Sequence, residues 1–198
     1  MLPRLPPKIS PGRADVKMSH TGIAGVCVAD TTAFRDHRGA FMRFFCEHEL
    51  ADVLKGRRIE QINHSRTVVS GAVRGLHFQR SPYAEMKMVR CLKGRVWDVA
   101  VDLRKYSPTF LQWHACELSA ENALMLIIPE GCAHGFQVIE SDSELLYLHT
   151  ASYMRSYEGG VRFDDPALQI LWPLRVMDLS ERDKLHPLID ENFQGVTL

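Results

Sequence analysis

The sequence predicts an all-β domain, either a β-sandwich or a jelly-roll barrel. Between residues 59 and 150 it is a series of short apolar segments, each of the length usual for a β-strand. Turn signals such as Lys93-Gly94 and Pro129-Glu130-Gly131 separate these segments, with no helical pattern between them. Strands that follow one another without crossover helices favour antiparallel sheets packed face to face.

The N-terminal part precedes this series. Residues 1–19 are proline-rich, and we expect a flexible leader there. The remaining residues, 20–198, are enough for a single domain with its own core. A first strand is expected at 23–29, and a polar turn at 34–41 has Gly39 at its bend. Apolar residues at helical spacing predict a short surface helix over 47–55, with Gly56 as its C-cap.

The strand series itself is expected at 59–66, 72–79, 87–92, 95–103, 112–118, 124–128, 134–139 and 144–150. The segment at 95–103 alternates most regularly, with Trp97, Val99 and Val101 on one face and Asp98 on the other. A second short helix is expected to begin after Ser180, whose hydroxyl is a suitable N-cap. The predicted domain is therefore a β-sandwich or a jelly-roll barrel with short flanking helices.

Composition limits the possible functions. Lys plus Arg and Asp plus Glu both number 24, so the formal net charge is zero, and there is no basic stripe of the kind that nucleic-acid-binding proteins carry. The five cysteines are an odd number without CxxC spacing, which indicates buried thiols in a reducing compartment. No apolar stretch is long enough for a membrane span or a signal peptide. We therefore expect a cytoplasmic protein that contacts neither nucleic acid nor membrane.

The segment at 73–79 carries the first functional signal. Leu76 and Phe78 share one face of this predicted strand, and His77 and Gln79 share the other. A polar, titratable face on an apolar strand is typical of a binding cavity, although an exposed edge strand has the same pattern. Both interpretations remain open at this point.

A second signal concerns metal binding. The stretch from Pro129 to His134 has the Pro-x-Gly-x-x-His form of the second cupin motif, in which a turn delivers a histidine into a small jelly roll. The first motif of metal-binding cupins has two histidines one residue apart, whereas this chain has only His77, followed by Gln79. A metal site needs at least three converging ligands. We therefore predict no metal and no other cofactor.

Seven motifs occur in an order that resembles one family. They are RGLHFQ at 74–79, KMVR at 87–90, WDVAVDLR at 97–104, SPTF at 107–110, LSAEN at 118–122, IPEGCAHGF at 128–136 and WP at 172–173. Together they resemble the dTDP-4-dehydrorhamnose 3,5-epimerase family over about residues 23–190. The resemblance implies a cupin-type jelly-roll barrel and a metal-independent isomerase that inverts carbon centres beside a C4 ketone.

The resemblance also implies four catalytic roles. His77 would be the base that removes a proton beside the ketone, and an imidazole suits this role because its ordinary pKa of about 6.5 leaves it largely neutral. Asp183 would orient that base, although it could also be a first-turn acid of a helix. Tyr147 would be the proton donor on the opposite face of the sugar, and Lys87 would stabilise the charge of the enolate oxygen.

Substrate binding is implied at further positions. The diphosphate contacts would be made by Arg38, Arg74 and Arg182, the contacts with the nucleotide base and the sugar by Gln61 and Asn63, and other ligand contacts by Lys87, His134 and Glu158. The sequence departs from the family pattern at Arg43, where a glutamate is usual, and at Ile62, where an aspartate is common. Both departures concern the nucleoside end of the site, so the identity of the nucleotide stays open.

The expected substrate is dTDP-4-dehydro-6-deoxy-D-glucose, converted to dTDP-4-dehydro-L-rhamnose for polysaccharide biosynthesis, in a homodimer that exchanges N-terminal strands. Three alternatives remain. The chain could epimerise C3 only or C5 only, or act on a GDP- or CDP-linked sugar. It could be a metal-dependent cupin oxygenase. It could also be a non-catalytic sugar-nucleotide-binding protein, which would be expected to lack the base or the acid.

Overall fold

The computed structural model describes residues 16–31 and 33–198, which form thirteen β-strands, two one-turn α-helices and one 3-10 turn. The strands are β1 (Lys17–His20), β2 (Cys27–Asp30), β3 (Phe34–Asp36), β4 (Gly39–Phe41), β5 (Gln61–Thr67), β6 (Val73–Gln79), β7 (Lys87–Lys93), β8 (Arg95–Asp102), β9 (Trp113–Ser119), β10 (Leu124–Ile128), β11 (Cys132–Val138), β12 (Ser143–His149) and β13 (Glu158–Gly160). The helices are α1 (Ala51–Leu54) and α2 (Glu181–Lys184), and the 3-10 turn spans Arg155–Tyr157.

The strands form two large antiparallel sheets. A six-stranded sheet has the order β1-β2-β10-β7-β12-β5, and a five-stranded sheet has the order β13-β6-β11-β8-β9. The remaining strands, β3 and β4, make a small hairpin of their own. This arrangement confirms the predicted all-β fold, a cupin-type jelly roll.

The core lies between the sheets and extends over both outer faces. Val96 and Ala100 of β8 pack between the sheets, where they meet Val89 of β7 and Leu126 of β10. The alternate residues of β8 point outward, and Val99 is packed there with the C-terminal segment. The alternation predicted for 95–103 is therefore confirmed. Strands buried on both faces read as continuous apolar runs because neither face meets water.

The C-terminal segment covers the five-stranded sheet and runs beside β6. Leu168 and Trp172 contribute to the cluster on the outer face of that sheet. The carbonyl of Asp178 accepts a hydrogen bond from the backbone N–H of Val73 at 2.9 Å. Helix α2 begins shortly afterwards, with Ser180 as its N-cap as predicted. The segment thus brings α2 against the strand that carries His77.

Several boundaries differ from the expectations. The helix expected over 47–55 is the single turn α1, and its C-cap is Lys55, which adopts the left-handed conformation at φ 48° one residue before Gly56. The strand expected over 23–29 is β2, which begins at Cys27 because a turn with Gly25 at φ 79° precedes it. Residues 17–19, expected in the leader, belong to β1, while residues 1–15 of that leader lie outside the described residues. Within the described chain, no helix has the length and apolar character needed to cross a membrane.

Candidate active site

A cavity of about 870 Å³ lies between the two sheets. Strands β5, β7 and β12 of the larger sheet and β6, β11 and β13 of the smaller one supply its walls. Its volume falls in the range of sites for small ligands. The predicted residues that line it are Gln61, Asn63, Arg74, His77, Lys87, His134, Tyr147, Glu158 and Arg182. The cavity interpretation of the 73–79 strand is therefore the right one.

A bulge in β6 places Arg74 and His77 on the same wall. Residues three apart on a regular strand face opposite sides, but here His77 pairs with His134 and Arg74 pairs with Phe136, so three steps of β6 match two steps of β11. Gly75 lies at this point, and a Cβ added to it would meet the Cα of Gly135 at 2.5 Å. Only glycine fits so close an approach of two backbones.

His77 and Asp183 form a hydrogen-bonded pair. The Nε2 atom of His77 lies 2.7 Å from Oδ1 of Asp183. A carboxylate can only accept, so Nε2 carries the proton and Nδ1 keeps a free lone pair. Asp183 itself does not line the main cavity; it lies behind the imidazole and is buried. The geometry therefore fits a base whose tautomer is fixed by a carboxylate.

Asp183 makes two further hydrogen bonds, one through its carboxylate and one through its backbone. The backbone N–H of Gly75 donates to Oδ2 of Asp183 at 3.2 Å. The backbone N–H of Asp183 donates to the Ser180 hydroxyl at 3.1 Å. Burial alone would raise the pKa of Asp183, but the hydrogen bond and the charge of His77, with the Gly75 contact, outweigh burial and lower the pKa to about 2. The carboxyl group is thus ionised at any physiological pH.

Tyr147 lies on the opposite wall from His77. It belongs to β12 of the six-stranded sheet, whereas His77 belongs to β6 of the five-stranded sheet. Its phenol is 3.0 Å from the Ser65 hydroxyl, and its ring is in edge contact with that of His134 at 6.1 Å between centroids. Burial raises the pKa of Tyr147 far above its ordinary value, which keeps the phenol protonated and able to donate.

Lys87 is buried and reaches from one sheet to the other. Its Nζ donates to the backbone carbonyl of His77 at 3.3 Å and lies 3.1 Å from Oε1 of Glu85. Lys87 is not a solvated surface lysine, because its side chain is only 10% exposed. An ammonium in so dry a position interacts strongly with a developing negative charge.

His134 forms a second histidine–carboxylate pair. Its Nε2 is 2.8 Å from Oδ1 of Asp98, which is fully buried on β8. Burial raises the pKa of Asp98, and the neighbouring His134 partly offsets this effect. The histidine of the Pro-x-Gly-x-x-His motif is therefore turned toward a carboxylate. The side-chain amide of Gln79, on β6, donates hydrogen bonds to the backbone carbonyls of Tyr83 and Ser152.

The mouth of the cavity carries charged groups. Arg182 is paired with Glu158 at 3.0 Å, and the Tyr153 hydroxyl donates to Glu158 at 3.1 Å. Arg74 donates to the Thr67 hydroxyl at 3.3 Å, and among the described residues no carboxylate lies within ion-pair distance of it. The positive charge of Arg74 is therefore available to an anionic ligand at the mouth of the cavity.

Arg38 is the one predicted binding residue that the structure places away from the cavity. It lies in the turn between β3 and β4, where its guanidinium pairs with Asp36 at 2.7 Å and its side chain is 78% exposed. In a single chain Arg38 is therefore not part of the cavity lining.

Glu85 and His149 were missed by the sequence reasoning, although both line the cavity. The Nδ1 atom of His149 is 2.9 Å from Oε2 of Glu85. A signal was present, because His149 is two residues after Tyr147 on the same strand and so faces the same side. Glu85 likewise precedes Lys87 by two residues.

Three side chains lie close enough together to be considered as ligands of a metal ion. Within the described residues, His77, Asp183 and His186 place one ligand atom each within 4.8 Å of one another. The guanidinium of Arg182, however, lies 3.2 Å from Nε2 of His77, and its positive charge repels a cation there. This environment suits proton transfer better than metal binding.

Known proteins are similar to this chain over most of its length. The family model described as dTDP-4-dehydrorhamnose 3,5-epimerase matches residues 20–191. A curated dTDP-4-dehydrorhamnose 3,5-epimerase of Shigella flexneri is 43% identical over 82% of this chain and 90% of its own length. The crystal structure of such an enzyme from Elizabethkingia anophelis has a TM-score of 0.85 at 37% identity, covering 90% of this chain and 99% of that one.

A third relative was solved with a sugar nucleotide. The dTDP-6-deoxy-D-glucose-3,5-epimerase of Legionella pneumophila, in complex with dTDP-4-keto-L-rhamnose, is 36% identical with a TM-score of 0.84, covering 91% of this chain and 98% of that one. All of these similarities extend over most of the chain. As its ordered motifs predict, the chain belongs to the dTDP-4-dehydrorhamnose 3,5-epimerase family.

Proposed function

We propose that the chain is an isomerase that converts dTDP-4-dehydro-6-deoxy-D-glucose to dTDP-4-dehydro-L-rhamnose by inverting C3 and C5. The observation that carries this proposal is the placement of His77 and Tyr147 on facing sheets of one cavity. Inversion requires a proton to leave one face of a carbon and another to arrive on the opposite face. A relative that binds dTDP-4-keto-L-rhamnose has nearly the same fold, which further supports the proposal.

The chemical step follows from the positions of three groups. Nδ1 of His77 takes the proton from the carbon beside the ketone, and the bonding electrons move to the ketone oxygen to give an enolate. The Lys87 ammonium stabilises this oxygen. Tyr147 then gives its proton to the opposite face of the carbon, and the ketone is restored. Proton loss from His77 and proton uptake by Tyr147 return the site to its starting state for the second centre.

The rest of the cavity suits the nucleotide part of the substrate. Arg74 and Arg182 offer guanidinium groups for the diphosphate. Gln61 and Asn63 are two residues apart on the same face of β5, and they provide amide groups for the base and the sugar. His134 and Glu158 complete the polar lining, and each is held by a partner inside the chain.

The same proposal includes a cytoplasmic homodimer that exchanges N-terminal strands. Two features support the dimer. Strand β1 is at the edge of the six-stranded sheet, where its outer side can pair with another chain. Arg38 does not reach the cavity of its own chain, so Arg38 of the partner subunit would supply the third arginine for the diphosphate.

The experiment that tests this function is incubation with the 4-keto dTDP-sugar in deuterated water, followed by NMR of the sugar. Deuterium at both C3 and C5 is expected, since each inversion exchanges the proton of its carbon. Deuterium at one carbon would instead identify a single-centre epimerase. Deuterium at neither carbon would contradict the proposal and point to a different nucleotide sugar or to a binding protein.

A further inference from the structure

The pair formed by Glu85 and His149 has no part in the mechanism above. Both side chains are buried, both line the cavity, and Nδ1 of His149 is 2.9 Å from Oε2 of Glu85. The other oxygen of Glu85 faces Nζ of Lys87 at 3.1 Å. One carboxylate therefore connects the proposed enolate-stabilising lysine with a second imidazole of the cavity wall.

The strand register places His149 where the sugar would lie. On β12 it is paired with Lys87 of β7 on one side and with Gln61 of β5 on the other. It also follows Tyr147 by two residues, and the two rings are stacked at 6.0 Å between centroids. His149 is thus surrounded by the groups assigned to the ketone, the proton transfer and the nucleotide.

The hydrogen bonds of His149 define what it can offer to a ligand. A Glu85 carboxylate accepts only, so Nδ1 of His149 carries the proton and Nε2 keeps its lone pair. The nearest donor to Nε2 is the amide nitrogen of Asn63, at 3.4 Å. Such a contact is at the long end of hydrogen-bond distances and therefore weak. Nε2 is an acceptor that a closer donor can engage.

We propose that His149 accepts a hydrogen bond from a hydroxyl of the substrate's sugar ring, and that Glu85 is the positioning residue that fixes its tautomer. This assignment rests on the proposed function. The pair of Glu85 and His149 would then contribute to sugar specificity. A sugar ring without a hydroxyl at the corresponding carbon leaves the buried Nε2 of His149 without a close donor. The nucleotide diphosphate alone does not engage it.

The first test compares His149→Leu with the wild type in two measurements. We expect the KM for the 4-keto sugar nucleotide to rise about tenfold, the equivalent of one lost hydrogen bond, with a smaller change in kcat. The Kd for dTDP, which has no sugar ring beyond its nucleoside, should not change. His149→Gln should recover most of the affinity because its amide oxygen accepts and its amide nitrogen can donate to Glu85.

The matched control is His114→Leu, which removes a partly buried imidazole from a strand outside the cavity. It should leave both constants unchanged. An equal loss of substrate and dTDP affinity in His149→Leu would show that the pair only supports the fold and would overturn the assignment. An unchanged KM would overturn it too. A wild type that exchanges no deuterium would be a failure of the proposed function instead, and the two failures are thus distinguishable.

Glu85→Gln tests the positioning role. The new amide can donate to Nδ1 of His149, which moves the ring proton to Nε2 and turns the acceptor into a donor. The KM should therefore rise as in His149→Leu, and the double variant Glu85→Gln/His149→Leu should be no worse in KM than either single variant. Additive effects on KM would show that Glu85 does not act through His149.

Discussion

The imidazole of His77 and the carboxylate of Asp183 meet at 2.7 Å although 106 positions separate them in the sequence. His77 is part of β6, and Asp183 arrives on α2 at the end of the segment that runs beside that strand. The pairing makes Nε2 the protonated nitrogen of His77 and leaves Nδ1 with the lone pair that the proposed base requires. Tertiary packing therefore decides the protonation pattern on which the proposed chemistry depends.

Replacing Asp183 should damage catalysis much more than binding. In Asp183→Asn the amide nitrogen can donate to Nε2, which favours the wrong tautomer, and we expect kcat to fall by about 10²–10⁴-fold with little change in KM. Glu181→Gln is the control, since Glu181 is 82% exposed in the same helix. Steady-state kinetics measure both constants. A wild-type kcat in Asp183→Asn would contradict the role of Asp183 in orienting His77.

The same carboxyl group should make stability depend on pH in acid. The pKa of Asp183 is lowered in the folded state to about 2 from its ordinary 3.8, so its ionised form stabilises the fold above about pH 4, and this contribution is lost as the pH falls toward 2. The difference in unfolding free energy between wild type and Asp183→Asn should therefore shrink over this range. Denaturant titrations at several pH values measure this difference in unfolding free energy. A difference that stays constant between pH 4 and pH 2 would argue against the lowered pKa of Asp183.

Removal of the Tyr147 hydroxyl should separate exchange from inversion. In Tyr147→Phe, His77 can still remove and return a proton on its own face, so deuterium exchange should persist better than net inversion. NMR follows both in one sample. Tyr106→Phe is the control because Tyr106 is 89% exposed. If exchange and inversion fell by the same factor, Tyr147 would not be the specific proton donor.

Lys87→Met should lower both activity and stability. The loss of the ammonium removes the charge that faces the enolate, and we expect kcat to fall by about 10²–10³-fold. It also leaves Glu85 buried without its cation, at a cost of about 3–5 kcal/mol in unfolding free energy. Thermal or denaturant unfolding measures this cost. Lys105→Met, which alters a lysine remote from the cavity lining, is the control and should change neither quantity.

The strands and the order of motifs could be predicted from the sequence because both depend on local patterns. The alternation in β8 fixes which side chains point outward, and the Ser180 cap involves residues only three positions apart. The family was identified from such patterns as well. These are the parts of the structure in which near neighbours along the chain decide the outcome.

The rest depends on contacts between distant segments. The bulge at Gly75, which brings Arg74 to the wall of His77, arises from the close approach of β11. The pair of Glu85 and His149 requires the register between β7 and β12, which spacing along the sequence does not reveal. The helix expected over 47–55 is shorter than predicted at both ends, because residues 47–50 form a turn and Lys55 adopts the left-handed conformation directly after Leu54.

The decisive measurement for the proposal that His77 is the base is deuterium incorporation by His77→Ala. With the 4-keto dTDP-sugar in deuterated water, we predict exchange at C3 and C5 by the wild type and by the His114→Ala control. We predict no exchange at either carbon by His77→Ala, in a protein that still binds dTDP. Exchange by His77→Ala at the wild-type rate would show that His77 is not the base.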